Sequence, residues 1–226
     1  MRVVVNAAVS ADGKLSTQER RQVPISGSTD FERVDELRAE SDAVMVGIGT
    51  VLADDPSLTV DDPVRTAIRE ADGEPIQPAR VVVDSRCRTP LDARVLDDEA
   101  RTYLLASEAA PEDRVAGLAD AGATVIVAGE DRTDLRKALS DLEADGIDQL
   151  MVEGGGEVIY SLFDAGLVDE LSVYVGSTVI GGRDAPTLVD GEGFTEDFPG
   201  LSLLGVERID DGALLQWLVE GDDPEE

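Results

Sequence analysis

The chain has 226 residues, of which 49 are acidic and 19 basic, a formal net charge of −30, and it has no histidine and one cysteine, Cys87. Without histidine there is no Ser-His-Asp or Cys-His catalytic unit, no imidazole ligand for zinc and no imidazole base near neutral pH. A single cysteine excludes an intrachain disulfide, a CxxC redox pair and a cysteine-rich metal site, and so large a negative field disfavours nucleic acid and anionic membranes as partners.

Hydrophobic residues make up 42% of the chain, enough for a folded core rather than an acidic disordered coil. Lys14 and Lys137 are its lysines; the other basic residues are arginines. A folded, acid-coated, lysine-poor protein suits a cytosol with molar salt, where the Debye length is about 3 Å. A halophilic source is therefore expected. The start, MRVVVNAAVS, reads as a strand rather than a signal peptide, and no apolar run reaches the roughly 20 residues of a membrane span. A cytoplasmic protein is expected. One domain over residues 1–219, burying roughly 70–75% of its unfolded surface, is expected to precede an acidic solvated tail at 220–226.

Short apolar runs at 3–9, 43–46, 81–83, 103–106, 124–127 and 150–152 read as buried, mostly parallel strands. Helical patterns lie between them. Thr29 and Glu32 have capping-box spacing ahead of Phe31, Val34 and Leu37 at helical period. Leu135, Leu139 and Leu142 line a second helix face. Val158, Ile159, Leu162 and Phe163 line a third, which Gly166 should end. Residues 61–79 read as an exposed Pro- and acid-containing connection. Beyond a strand at 171–175 comes a glycine-rich loop, 176–193, with the look of a ligand-covering segment. Residues 201–209 and 213–219 flank Asp210-Asp211-Gly212 and read as a terminal antiparallel hairpin. The fold class is α/β.

Four segments could carry chemistry. In LMVEGGG a buried strand runs through Glu153 into Gly154, Gly155 and Gly156, and a helix begins at once. Glycines allow close backbone approach, and the N–H groups of a helix start attract phosphate. A plain tight turn is the alternative, although one glycine would suffice for it. Glu153 lies at the strand's carboxyl end, where ligands of open α/β sheets collect. In VGIGTVLADDP, Thr50 and Asp54 are four apart on one helix face and could grip a ribose or an amide, or simply cap. In VDSRCRTP, Ser85, Arg86 and Arg88 follow a strand; paired arginines suit an anionic ligand such as the extra phosphate of NADP, or a surface ion-pair network. Cys87 reads as packing rather than reactive. Asn6, in a mostly apolar strand, could orient a heterocycle or be a satisfied strand polar group. No residue grouping suggests a metal.

DGKLST, RAESDAVMVGIGTVLADDPSLTV, ARVVVDSRCRTPLDARVL and the stretch from LMVEGGG to GGRDAPTLVDGEGF occur in this order over residues 3–195. They resemble the riboflavin-pathway reductases, most of all the archaeal stand-alone branch. The resemblance implies a dihydrofolate-reductase-like, three-layer fold, NADPH as hydride donor and a homodimer. It implies cofactor contacts from Thr50, Asp54, Ser85, Arg86, Cys87, Arg88, Gly154, Gly155, Gly156 and Glu157. It places Glu153 toward the substrate and Arg38 at the substrate phosphate. Asn6, from its place in the strand, is a third substrate candidate, and with no histidine in the chain Asp54 joins Glu153 as a catalytic candidate for supplying a proton. Pro24-Ile25 stands where bacterial relatives have tryptophan, and Asp61 where they have arginine. The zinc deaminase fused to bacterial relatives needs HxE and PCxxC segments, which this sequence lacks. The implied reaction reduces the ribosylamino side chain of a phosphorylated diamino-pyrimidinone to ribitylamino. Alternatives are the deaminated uracil as substrate, a dihydrofolate reductase, and a non-catalytic nucleotide-binding protein. The apolar 171–175 stretch and the terminal strands are the expected subunit contact.

Overall fold

The computed structural model describes residues 1–221. Most of the acidic tail expected at 220–226 thus lies outside the described residues. Cα proximity divides the chain into two compact units, one of Met1 and residues 33–151, the other of residues 2–32 and 152–221.

In the first unit, strands β2 (Ala43–Gly47), β3 (Ala79–Val83), β4 (Thr102–Ala106) and β5 (Thr124–Val127) pair parallel in the order β5-β4-β3-β2. Residues 149–151 of β6 (Gln149–Glu153) follow beside β2. Val81, Val82, Leu104 and Leu105 are wholly buried, as expected for strands covered on both faces. Helices α2 (Ile48–Asp54), α3 (Pro63–Ala71), α4 (Glu112–Asp120) and α5 (Leu135–Ala144) connect them. Helix α3 corrects the reading of 61–79 as plain connection. Asp62 caps it by accepting from the Val64 N–H, and Pro63 opens it without wasting a donor.

In the second unit the order is β1-β7-β9-β8. Strand β1 (Arg2–Val9) pairs parallel with β7 (Glu170–Val175), whose other edge pairs antiparallel with β9 (Gly212–Val219) and through it with β8 (Leu201–Ile209). This is the expected α/β class, mostly parallel with an antiparallel end. Helix α6 (Gly156–Asp164) buries Val158, Ile159, Leu162 and Phe163, and Gly166 follows it at φ +61°. Strand β7 is interior to its sheet, with Leu171 and Val173 buried within their own chain.

Helix α1 (Ser28–Glu40) forms, but its inward face is not the expected one. Phe31 is 63% exposed, whereas Asp30 and Asp35 are buried. Asp30 accepts from Ser26 Oγ, and Asp35 accepts from the N–H groups of Asp61 and Asp62 and pairs with Arg65. Local acceptor demand thus overrides the apolar period. Thr29 bonds Asp210 rather than closing a capping box with Glu32.

Arginines are the struts of the first unit. Arg80 is wholly buried in β3; it donates to the carbonyls of Ser57, Val95 and Asp97 and pairs with the Asp97 carboxylate at 2.8 Å. Arg69 donates to the carbonyls of Pro75, Ala39 and Ser41. Arg38 donates to the Thr59 carbonyl. A planar fork reaches several carbonyls at once, which an ammonium group cannot do.

Candidate active site

In the first unit, parallel strands end at Gly47, Val83, Ala106 and Val127, and the segments leaving those ends carry the expected residues. Thr50 and Asp54 are half-buried on one face of α2. Ile48 and Val51 of the same helix share one apolar cluster with Cys87, so α2 and the 84–89 segment are braced through common packing. Cys87 is wholly buried, and burial with the neighbouring Asp84 charge pushes its thiol up. It packs and does not present sulfur to solvent.

The 84–89 segment is a tightly bonded turn. Asp84 is wholly buried and accepts from both the N–H and Oγ1 of Thr89. Its own carbonyl accepts from the Cys87 N–H. Ser85 is engaged by its neighbours: its hydroxyl accepts from the Thr133 N–H and lies 3.0 Å from Thr133 Oγ1. Arg86 and Arg88 are exposed. Arg86 donates to the Ala109 carbonyl and lies 3.8 Å from Asp131; Arg88 lies 3.8 Å from Asp84. Both guanidiniums keep faces open to an anion. Arg38 is separate from this group, half-buried on α1 against the Thr59 carbonyl.

In the second unit, Glu153 ends β6 half-buried, and Gly154 and Gly155 follow at φ +71° and +86°. Both are left-handed, which explains glycine there. Gly155 caps α6 with no side-chain hydrogen bond to the first turn. A Cβ on Gly154 would meet nothing within 4 Å. An open backbone curve before an uncapped helix start fits the diphosphate of a dinucleotide. Gly156 is small for another reason: a Cβ there would stand 2.6 Å from the Asp190 Cβ and closer still to the Thr187 carbonyl oxygen. Glu157 is exposed in the first turn. Asn6 is buried in β1, in register with the buried Ser172.

The 176–193 loop is pinned in the same unit. Asp12 accepts from Ser10 Oγ and from the N–H groups of Ile180 and Gly181, and these bonds, Ser10 foremost, bring its carboxyl down to about 2. Lys14 donates to the Ala185 carbonyl, and Gly191 sits against the Tyr160 ring, which meets Phe194 at 5.2 Å. Sequence reasoning missed Asp84, Arg114 and Thr133 in the first unit. Only Asp84, a carboxylate directly after an apolar strand, left a signal that could have been read.

A family model described as the RibD C-terminal domain matches residues 1–215. The chain is similar to the 2,5-diamino-6-ribosylamino-4(3H)-pyrimidinone 5′-phosphate reductase of Archaeoglobus fulgidus, at 51% identity over 93% of this chain and 94% of that one. It is similar to the protein of the same name from Methanothermobacter thermautotrophicus, at 47% identity over 97% and 98%. Its fold is that of a pyrimidine reductase-like protein from Corynebacterium diphtheriae, with a TM-score of 0.87 at 19% identity over 98% of this chain and 92% of that one. With strand ends, glycine turn and arginine loop placed on a matched stretch of this extent, the chain belongs to the RibD C-terminal domain family.

Proposed function

We propose that the chain is a reductase of riboflavin biosynthesis. Its substrate is 2,5-diamino-6-ribosylamino-4(3H)-pyrimidinone 5′-phosphate, its product is the ribitylamino compound, and its donor is a reduced nicotinamide dinucleotide. The observation that carries this reading is the 51% and 47% identity, over nearly the whole length of both chains, with two relatives that bear that reductase's name.

The ring-opened sugar is an imine at C1′. A bound reduced nicotinamide supplies a hydride equivalent to that carbon, and the nitrogen gains a proton to become the product amine. With no imidazole in the chain, Glu153, Asp54 and water are the groups available at that nitrogen. We assign Glu153 to orienting the pyrimidine amines as a carboxylate acceptor. Gly154, Gly155 and the start of α6 hold the diphosphate, and Thr50 and Asp54 hold the dinucleotide from α2. Glu157 is assigned to its margin and Cys87 to packing beneath the turn that meets it, and Asn6 and Arg38 are assigned to the substrate, with Arg38 toward its phosphate. Much of the catalysis is then positioning.

NADPH is the donor proposed over NADH, because Arg86 and Arg88 offer guanidiniums suited to an added phosphate. Residues 1–219 act as one reductase, in the cytoplasm of a halophile. A homodimer is proposed through β8, the last strand in its order, where Leu203, Leu204 and Val206 are 59%, 56% and 62% exposed.

The test is loss of NADPH absorbance with the diamino and the deaminated substrates, run in parallel at molar KCl. Turnover of the diamino compound is expected. Turnover confined to the deaminated compound or to dihydrofolate, or NADPH binding without turnover of either pyrimidine, overturns the assignment.

A further inference from the structure

The 84–89 turn holds Cys87 at φ +53°, a left-handed conformation that a side chain other than glycine rarely takes. Such backbone persists only where its surroundings over-determine it, and here bonds hold it from two sides. The buried Asp84 carboxylate fixes one side through Thr89. The other side is held from α4. Arg114 Nε donates to the Cys87 carbonyl at 2.9 Å, and its Nη2 donates to the Thr89 carbonyl at 2.6 Å. One guanidinium therefore spans two carbonyls that flank Arg88, with Arg86 directly before the first.

We propose that Arg114 is a positioning residue for the dinucleotide: it locks the strained 84–89 turn and so presents Arg86 and Arg88 to the ligand's phosphate. This rests on the reading of that turn as cofactor-binding. Two physical consequences support the role. The fork withdraws two carbonyl dipoles that would otherwise repel an anion beside Arg86 and Arg88, and would otherwise compete for those guanidiniums. It also keeps the turn in one conformation before the ligand arrives, so little ordering remains to be done on binding. Lysine cannot span both carbonyls with the same geometry.

The test compares wild type, Arg114→Ala and Arg114→Lys in molar KCl. It uses direct NADPH titration, steady-state kinetics on the diamino substrate, and hydrogen exchange of the peptide covering residues 84–89. If loosening leaves about a tenth of molecules with a competent turn, the NADPH Kd rises about tenfold in Arg114→Ala, with about threefold expected in Arg114→Lys. Exchange of the 84–89 peptide should quicken in the same order. At saturating NADPH, kcat and the KM for the pyrimidine should stay within about twofold of wild type. An unchanged NADPH Kd in folded Arg114→Ala overturns the proposal, as does a fall in kcat with Kd unaltered. If Arg114→Ala does not fold, Arg114→Lys decides: a Kd and exchange rate equal to wild type overturn the proposal. Failure of the wild type itself to bind NADPH is a different result, which overturns the functional reading.

Discussion

Replacing Gly156 by alanine should destabilise the protein more than the same change two residues earlier. The added methyl would stand 2.6 Å from the Asp190 Cβ, with the Thr187 carbonyl oxygen closer still. Carbon atoms in contact rest about 3.5–4.0 Å apart, so residues 187–190 must retreat by about 1 Å. Overpacking of that kind costs about 1–3 kcal/mol. The retreat also stretches the bond from the Asp190 N–H to the Gly156 carbonyl, now 3.0 Å, whose loss adds about 1 kcal/mol. The sum, about 2–4 kcal/mol, corresponds to a Tm lowered by roughly 4–16 °C for a chain of this length. A methyl on Gly154 meets nothing within 4 Å. There the penalty is the left-handed backbone alone, about 1–2 kcal/mol, or roughly 2–8 °C. Thermal unfolding in molar KCl, followed by far-UV circular dichroism and Trp217 fluorescence, measures both. A Gly156→Ala Tm within about 2 °C of wild type, or above that of Gly154→Ala, would refute the packing argument.

Arg80→Met should lower stability by about 2–4 kcal/mol, since it strands three carbonyls and loosens a carboxylate that is only partly shielded. Arg80→Lys should recover less than half of this; full recovery in a thermal melt would mean that charge, not the fork, is what counts. Asp12 has its carboxyl lowered from 3.8 to about 2, so its stabilising bonds are fully present above the unfolded value and lost as pH falls toward the folded one. Asp12→Ala should therefore flatten stability against pH between those two values relative to wild type, and parallel curves in chemical unfolding would contradict it. Glu153→Gln should lower kcat while leaving NADPH affinity nearly intact; unchanged steady-state kinetics would displace Glu153 from the site. The KM for NADPH should fall as KCl rises from dilute to molar, because salt screens the −30 field against an anionic ligand. A rise in protein folded at both salt levels would count against this.

Much of the fold is written locally. Each apolar run named from the sequence is part of a strand, and α6 is readable from its four buried side chains and the glycine after it. The failures have physical causes. Helix α3 carries Val64, Ala67, Ile68 and Ala71 at helical period behind a capping aspartate and an N1 proline, a signal masked by the prolines and acids around it; in the fold Val64 and Ile68 of that stripe are exposed. Phe31 misled because α1 turns Asp30 and Asp35 inward, Asp30 toward Ser26 one turn away and Asp35 toward the N–H groups of Asp61 and Asp62, which are distant in sequence. The glycine turn was legible because left-handed backbone demands a residue type. Even so, its third glycine answers to Thr187 and Asp190, which sequence spacing does not reveal. Arg114 was illegible for the same reason: one arginine in an acidic helix looks like any solvated charge until the chain folds 84–89 beneath it.

The arginine struts have a consequence for how such a protein can change. The hydrogen bonds of Arg69, Arg80 and Arg114 run mostly to main-chain oxygens, which every sequence supplies. Main-chain acceptors do not mutate and do not titrate. The acidic coat can therefore gain or shed carboxylates, through evolution or by engineering, with little effect on the internal scaffold that orients the turns. Surface charge and architecture become separately adjustable: the outer shell can be rewritten while the inner bracing keeps its wiring.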